Sequence, residues 1–197
     1  MPTGVALRDV REQLFAAAER VLLRDGPQAL TSRAVTDEAG VAKGVLHRHF
    51  ADFDQFLTEL VLDRIQRLLL SEPMLLSAVG TATVAENLTA FLEEIFNSVA
   101  VAIVSLITFR DDLRARVRSA RGAWGIPLLT EAGAIIREYL SAERDLGRLA
   151  PGADVDTLAP MLIGSAHLLY ADRGARPPGP DVLERMVAAV LSGVARG

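Results

Sequence analysis

Three histidines, no cysteine and a single lysine narrow the chemistry open to this chain. Without cysteine there is no disulfide, no thiolate metal site and no thiol nucleophile. The carboxylate pairs Glu93-Glu94 and Asp111-Asp112 are adjacent in sequence, so on a helix they point in different directions and form no acid–base dyad. His47 and His49 stand two apart, a spacing that separates them on a helix rather than gathering them around one metal ion. No Gly-rich phosphate loop, nucleophile elbow or His/carboxylate ligand spacing is present. These residue types argue against an enzyme, a metal site or a cofactor. What remains is a cluster of cations, Arg33, Lys43, His47, Arg48 and His49, opposed mainly by Asp37 and Glu38. The chemistry of such a cluster is the binding of anions, and of nucleic-acid phosphates in particular.

The whole chain is acidic, with a net charge of −4 over 197 residues, but the charge is unevenly spread. Residues 1–50 carry seven Arg/Lys against six Asp/Glu, whereas residues 71–197 carry twelve against fifteen. Half of the residues are hydrophobic. The uncharged run 95–109 is fifteen residues long, short of the roughly 18–20 that a membrane-crossing helix needs, so it predicts a buried helix. The first residues are charged and amphipathic where a signal peptide would be apolar. The expectation is a cytoplasmic protein with no membrane partner.

The elements that position the cation cluster read as helices throughout. Val10, Leu14, Ala17, Ala18, Val21 and Leu22 recur at three- and four-residue intervals and predict a first helix over 7–24, stopped by Asp25-Gly26-Pro27. Asp52 and Gln55 stand in capping-box spacing and open a long helix over 52–70. Thr83 and Glu86 repeat that signature before a helix predicted over 83–108. Further helices are predicted over 111–121, 127–145, 154–172 and 180–195, separated by Gly122 and Gly125, by 147–152 and by the Gly/Pro-rich stretch 174–179. The fold class is all-α. It divides into a three-helix head over 1–50 and a helical body over 51–197.

The segment 30–50, LTSRAVTDEAGVAKGVLHRHF, is the most informative. Thr31 or Ser32 can cap a short helix ending near Ala39, and Gly40 suits the left-handed position that closes it. A second short helix follows over 43–49. With Val41, Leu46 and Phe50 turned inward, its other face carries Ala42, Lys43, Gly44, Val45, His47 and Arg48. Two short helices around a glycine turn, the second free to enter a major groove, form a helix-turn-helix.

In this segment the chain resembles the TetR family of regulators. Gly26, Leu30, Thr31, Arg33, Val35, Ala39, Gly40, Val41, Gly44, Leu46, His49 and Phe50 fall in register with the family's head pattern. The resemblance covers about 60 residues. It implies phosphate contacts from Ser32, His47 and His49, base reading by Arg33 and Lys43, close backbone approach at Gly44, and a thymine-methyl contact from Val45. Arg48 shares the exposed face. Three positions depart from the pattern: Ala42 replaces a capping Ser or Thr, His47 a phosphate-contacting tyrosine, and Phe53 a phosphate-binding lysine.

The body completes the expectation. The helix over 83–108 is apolar nearly all round beyond Glu94, bringing Phe91, Phe96, Asn97, Ser98, Ser105 and Thr108 into the interior, with Phe109, Trp124 and Tyr139 from neighbouring segments. An apolar cavity with a few polar groups suits a small-molecule effector, and Phe91, Phe96, Ser105, Phe109, Trp124, Tyr139 and His167 are its candidate residues. Leu158, Met161, Leu162, Ser165 and Leu169 on the next-to-last helix, with Met186 and Val190 on the last, are the candidate dimer seam. The resemblance implies a homodimeric transcriptional regulator, usually a repressor, that binds a palindromic double-stranded DNA operator and is released by a small, largely apolar effector. The alternative, favoured by the acidic net charge, His47 and Phe53, is a helical ligand-binding or protein-interaction module without DNA binding.

Overall fold

The structure, a computed structural model, describes residues 4–171 and 178–196. Asp172, the expected end of one helix, and residues 174–177 of the expected Gly/Pro separator lie outside them. The described residues form α1 (Gly4–Asp25), a 3₁₀ turn (Pro27–Ala29), α2 (Ser32–Glu38), α3 (Gly44–His49), α4 (Phe53–Leu69) and α5 (Glu72–Ser77). They continue with α6 (Val84–Phe96), α7 (Ala100–Thr108), α8 (Asp111–Arg121), α9 (Leu129–Asp145), α10 (Val155–Tyr170) and α11 (Pro180–Leu191). The only β pairing among them is an isolated bridge between Leu149 and Ala195. The all-α expectation holds. Two compact units emerge, one built from the chain up to Arg64 with Ala102–Trp124, the other from Ile65–Val101 with the chain from Gly125 on.

In the first unit the predicted stripe of α1 is the inside of the protein: Leu14, Ala17, Ala18, Val21 and Leu22 are buried, together with Val35, Leu46, Leu57 and Leu60. Burying such a side chain stabilises by about 1.5–3 kcal/mol. Phe15, Phe50 and Phe56 form an aromatic cluster with ring centroids 5.0–5.9 Å apart. Phe53 stacks on Phe56 at 5.6 Å but is only half-buried. The start of α4 is capped as its sequence suggests, since Asp52 Oδ1 accepts from the Gln55 N–H at 2.6 Å. The return bond runs one residue earlier than in a capping box, with Gln55 Oε1 accepting from Ala51 N–H at 2.7 Å. Buried Arg64 of α4 pairs with Glu19 of α1 and with its neighbour Asp63.

In the second unit Thr83 and Glu86 make a complete capping box at the start of α6. That helix buries Val84, Leu88, Phe91, Leu92, Ile95 and Phe96. The helix expected over 83–108 is two helices, interrupted at residues 97–99. Asn97 and Ser98 supply the break: Ser98 turns its hydroxyl back onto the Ile95 carbonyl and accepts from Ala100 N–H at 3.1 Å. These groups offer the backbone an alternative to the helix ladder. Asn97, Ser98 and Thr108 are exposed, not interior as expected.

A buried carboxylate organises the α9 side of this unit. Glu143 has no solvent exposure. It accepts from the Tyr139 hydroxyl at 2.6 Å and from Gly80 N–H at 3.2 Å, and pairs with Arg148 at 3.2 Å. Asn87 Nδ2 donates to Tyr139 Oη at 3.0 Å and to the Ala78 carbonyl at 3.1 Å. Burial, reinforced by Glu143, raises the Tyr139 phenol above its ordinary range, so the hydroxyl stays protonated.

Candidate nucleic-acid interface

The helix-turn-helix is built from local rules that its sequence satisfies one by one. Thr31 Oγ1 accepts from Ala34 N–H at 3.1 Å and caps α2. Gly40 takes φ +67°, a left-handed conformation cheap only for a residue without Cβ. Around it Gly40 N–H donates to the Asp37 carbonyl at 3.2 Å and Val41 N–H to the Thr36 carbonyl at 3.1 Å. This pair of bonds is the Schellman closure of a helix end. Gln13 of α1 donates to the Ala39 carbonyl at 2.8 Å and fastens the turn to the unit. Glu38 receives Arg20 and Arg24 of α1, each at 2.7 Å, and these partners hold its carboxyl below the usual range.

The second helix of the motif, α3, is anchored by Leu46 and, just past its end, by Phe50, both buried. Arg11 holds that end from α1. Its guanidinium lies 4.5 Å over the Phe50 ring, donates to the His49 carbonyl at 3.4 Å and pairs with Glu59 of α4. A cation at the C-terminal carbonyls also favours the helix dipole. Sequence reasoning misses Arg11, Gln13 and Arg20, and the pairing of Glu38 with α1, whose signal is spacing across helices rather than along one.

The expected DNA-binding residues are distributed as follows. Lys43, Gly44, His47 and Arg48 are exposed on α3 or at its start, while Val45 and His49 are half-buried beside them. Arg33 is 85% exposed, with Asp37 only 3.5 Å away in an i,i+4 pair. Ser32 is half-buried, and its Oγ has no hydrogen-bond partner within the chain. Lys43 occupies the cap position of α3 without a capping side chain, in line with the missing Ser or Thr at Ala42. At Gly44 a Cβ would meet nothing within 4 Å, and its φ is not positive. The packing of the chain therefore does not require glycine there.

The expected effector residues do not share one environment. Phe91, Phe96 and Tyr139 are buried in the second unit. Phe91 lines a cavity of about 170 Å³ with Met74, Leu75, Ala78, Asn87 and Glu94. Phe96 stacks on Tyr170 at 5.6 Å and lies 6.1 Å from the ring of half-buried His167. His167 Nδ1 is buried without a partner, and burial pushes the imidazole below its usual range. Ser105 is half-buried in the first unit. Phe109 and Trp124 are corrections. They are 72% and 79% exposed rather than interior. They lie just outside the two ends of α8, and the Arg118 guanidinium lies 4.9 Å from the Trp124 ring. A larger groove of about 450 Å³ runs between α9 and α10, past Gly133, Arg137, Asp156, Pro160 and Gly164.

Of the seven expected seam residues, Leu158 and Leu162 are buried within the protomer. Met161 is exposed, and Ser165, Leu169, Met186 and Val190 are half-buried. Leu168, outside the expected set, is 77% exposed.

The sequence model of the family described as bacterial regulatory proteins, tetR family, matches residues 14–60. No curated protein matches the sequence. Among solved structures the fold is similar to a transcriptional regulator from Rhodococcus, with a TM-score of 0.71, 20% identity, and 95% of this chain and 98% of that one covered. It is also similar to the transcriptional regulator FadR from Bacillus subtilis, solved with stearoyl-CoA, at TM-score 0.69, 18% identity and coverages of 92% and 98%. The ketosteroid transcriptional regulator KstR2 of Mycobacterium tuberculosis gives TM-score 0.65, 21% identity and coverages of 95% and 96%. The fold is shared with these transcriptional regulators, and the chain carries a helix-turn-helix head. Its head, over residues 14–60, is that of the TetR family, as the resemblance in the sequence implied.

Proposed function

We propose that this chain is a ligand-responsive repressor, not an enzyme, which binds a palindromic operator as a homodimer in the cytoplasm and leaves it when a small, largely apolar effector enters the body. The observation that carries the reading is the exposed face of α3. Lys43, Gly44, His47 and Arg48 stand there without a packing role, and Gly44 lacks a side chain where the protein has room for one. Glycine in a helix costs roughly 0.5–1 kcal/mol relative to alanine, a cost that close approach to a DNA backbone offsets. Lys43 and Arg33 are the base readers, and Ser32, His47, His49 and Arg48 serve the phosphates.

Phe91, Phe96 and His167 are the proposed effector residues, together with Tyr139, which accepts from Asn87 of the Phe91 cavity. Support comes from their apolar surroundings, from the unpartnered His167 Nδ1, and from fold relatives solved with stearoyl-CoA or described as a ketosteroid regulator. Two copies would meet through α10 and α11, with Met161 and Leu168 as the exposed apolar residues of the seam.

Selection of random duplexes by the purified full chain tests the reading. Enrichment of a palindrome whose binding weakens in Arg33→Ala and Lys43→Ala is the expected result. Failure to enrich any sequence rejects the DNA-binding assignment and returns the chain to the class of helical ligand-binding modules.

A further inference from the structure

Helix α8 carries chemistry that the reading of the head leaves unused. Residues 110–121 hold five arginines against two aspartates, and they belong to the same compact unit as the helix-turn-helix. Arg110 Nη2 lies 3.0 Å from Asp54 Oδ1, and Arg116 Nη1 lies 4.0 Å from Asp52 Oδ2. Both pairs are open to solvent. The packing of α8 rests instead on its buried residues Leu113 and Val117.

The position of these pairs is what matters. Asp52 follows the last residue of α3, His49, by three residues, so their Cα atoms are at most about 11 Å apart. A major groove is about 12 Å wide and walled by phosphates. A helix seated in it therefore brings the start of α4 up to one of those walls. Residues 51–56 present two aspartates there and no cation, with Phe53 between them. On its own this stretch would repel the backbone.

We infer that Arg110 and Arg116 make α8 a second DNA-facing element, neutralising Asp54 and Asp52 and donating to phosphates of the strand beside the recognition helix. A guanidinium has five N–H donors and can hold a carboxylate and a phosphate together. Exposed ion pairs add little to stability, so the pairs alone do not account for two arginines at this spot. The inference rests on the reading of the head as a DNA binder.

The test uses the full chain, its selected duplex and a random duplex, titrated over a range of salt concentrations. Arg116→Gln and Arg110→Gln should each weaken both duplexes by the same factor, because phosphates carry no sequence. Each should also flatten the log affinity–log salt slope by about 0.9 for every phosphate that is no longer neutralised. Asp54→Asn breaks the same ion pair but keeps the cation, and binding should be unchanged or tighter. Wild-type affinity and slope in the double Gln variant, with Lys43→Ala still weakened, overturn the α8 contact and leave the head's role intact. Asp54→Asn weakening as much as Arg110→Gln also overturns it, since the pair then acts only as a structural tie. An unaltered chain that binds no duplex overturns both.

Discussion

The exposed face of α3 and the buried network around Glu143 use polar side chains in opposite ways. In the network Tyr139, Arg148, Asn87 and the Gly80 N–H spend their hydrogen bonds within the chain, on one another, on Glu143 or on the carbonyls of Ala78, Thr81 and Ala82. On α3, Lys43, His47 and Arg48 face solvent, and Gly44 leaves a gap that nothing fills. The first arrangement holds a fold, and its loss should be read in stability. The second adds nothing that the fold needs, and its loss should be read in binding. A polar residue's function is most visible where the protein has no use for it.

That contrast breaks first at Glu143. Glu143→Leu takes the acceptor from the buried Tyr139 hydroxyl and the carboxylate from Arg148 and the Gly80 N–H, and should cost roughly 3–5 kcal/mol in urea unfolding. A cost below about 1 kcal/mol would mean that the network is not structural. Lys43→Ala should leave unfolding unchanged and weaken operator binding by about 1–3 kcal/mol. A comparable loss of stability would put Lys43 with the fold instead. Gly44→Ala sharpens the comparison because its two readouts should move in opposite directions. Stability rises by roughly 0.5–1 kcal/mol while DNA affinity falls. If both rise, no backbone approaches that position.

The smallest expected effect is at Glu38. Its carboxyl is depressed by Arg20 and Arg24, so the stability it lends is fully present above the unfolded carboxylate value and is lost as pH falls through the lower folded value. Glu38→Gln should therefore lower the melting temperature slightly at neutral pH, with the gap to wild type closing in strongly acidic buffer. A gap that widens on acidification would contradict the pairing.

The head was legible because each of its turns obeys a short-range rule. Thr31 caps, Gly40 closes α2 in the left-handed region, and Leu46 and Phe50 turn inward at helical spacing. The body was legible only in outline. The break at 97–99 falls inside an uncharged run without Gly or Pro, where hydrophobic periodicity is flat and the small polar pair Asn97-Ser98 is a weak signal. Phe109 and Trp124 read as interior because aromatic residues usually are. Neither lies on the Leu113–Val117 face of α8 that is buried. The tie from Arg110 to Asp54 spans fifty-six residues, and no local pattern encodes it.

The most direct measurement is a titration of the full chain with its selected duplex at two salt concentrations, combined with a footprint. The account predicts two protected half-sites about 34–36 Å apart and an affinity that falls steeply with salt, with binding weakened by about 1–3 kcal/mol in Lys43→Ala. A footprint without two-fold symmetry, or binding indifferent to salt and to Lys43, would contradict it.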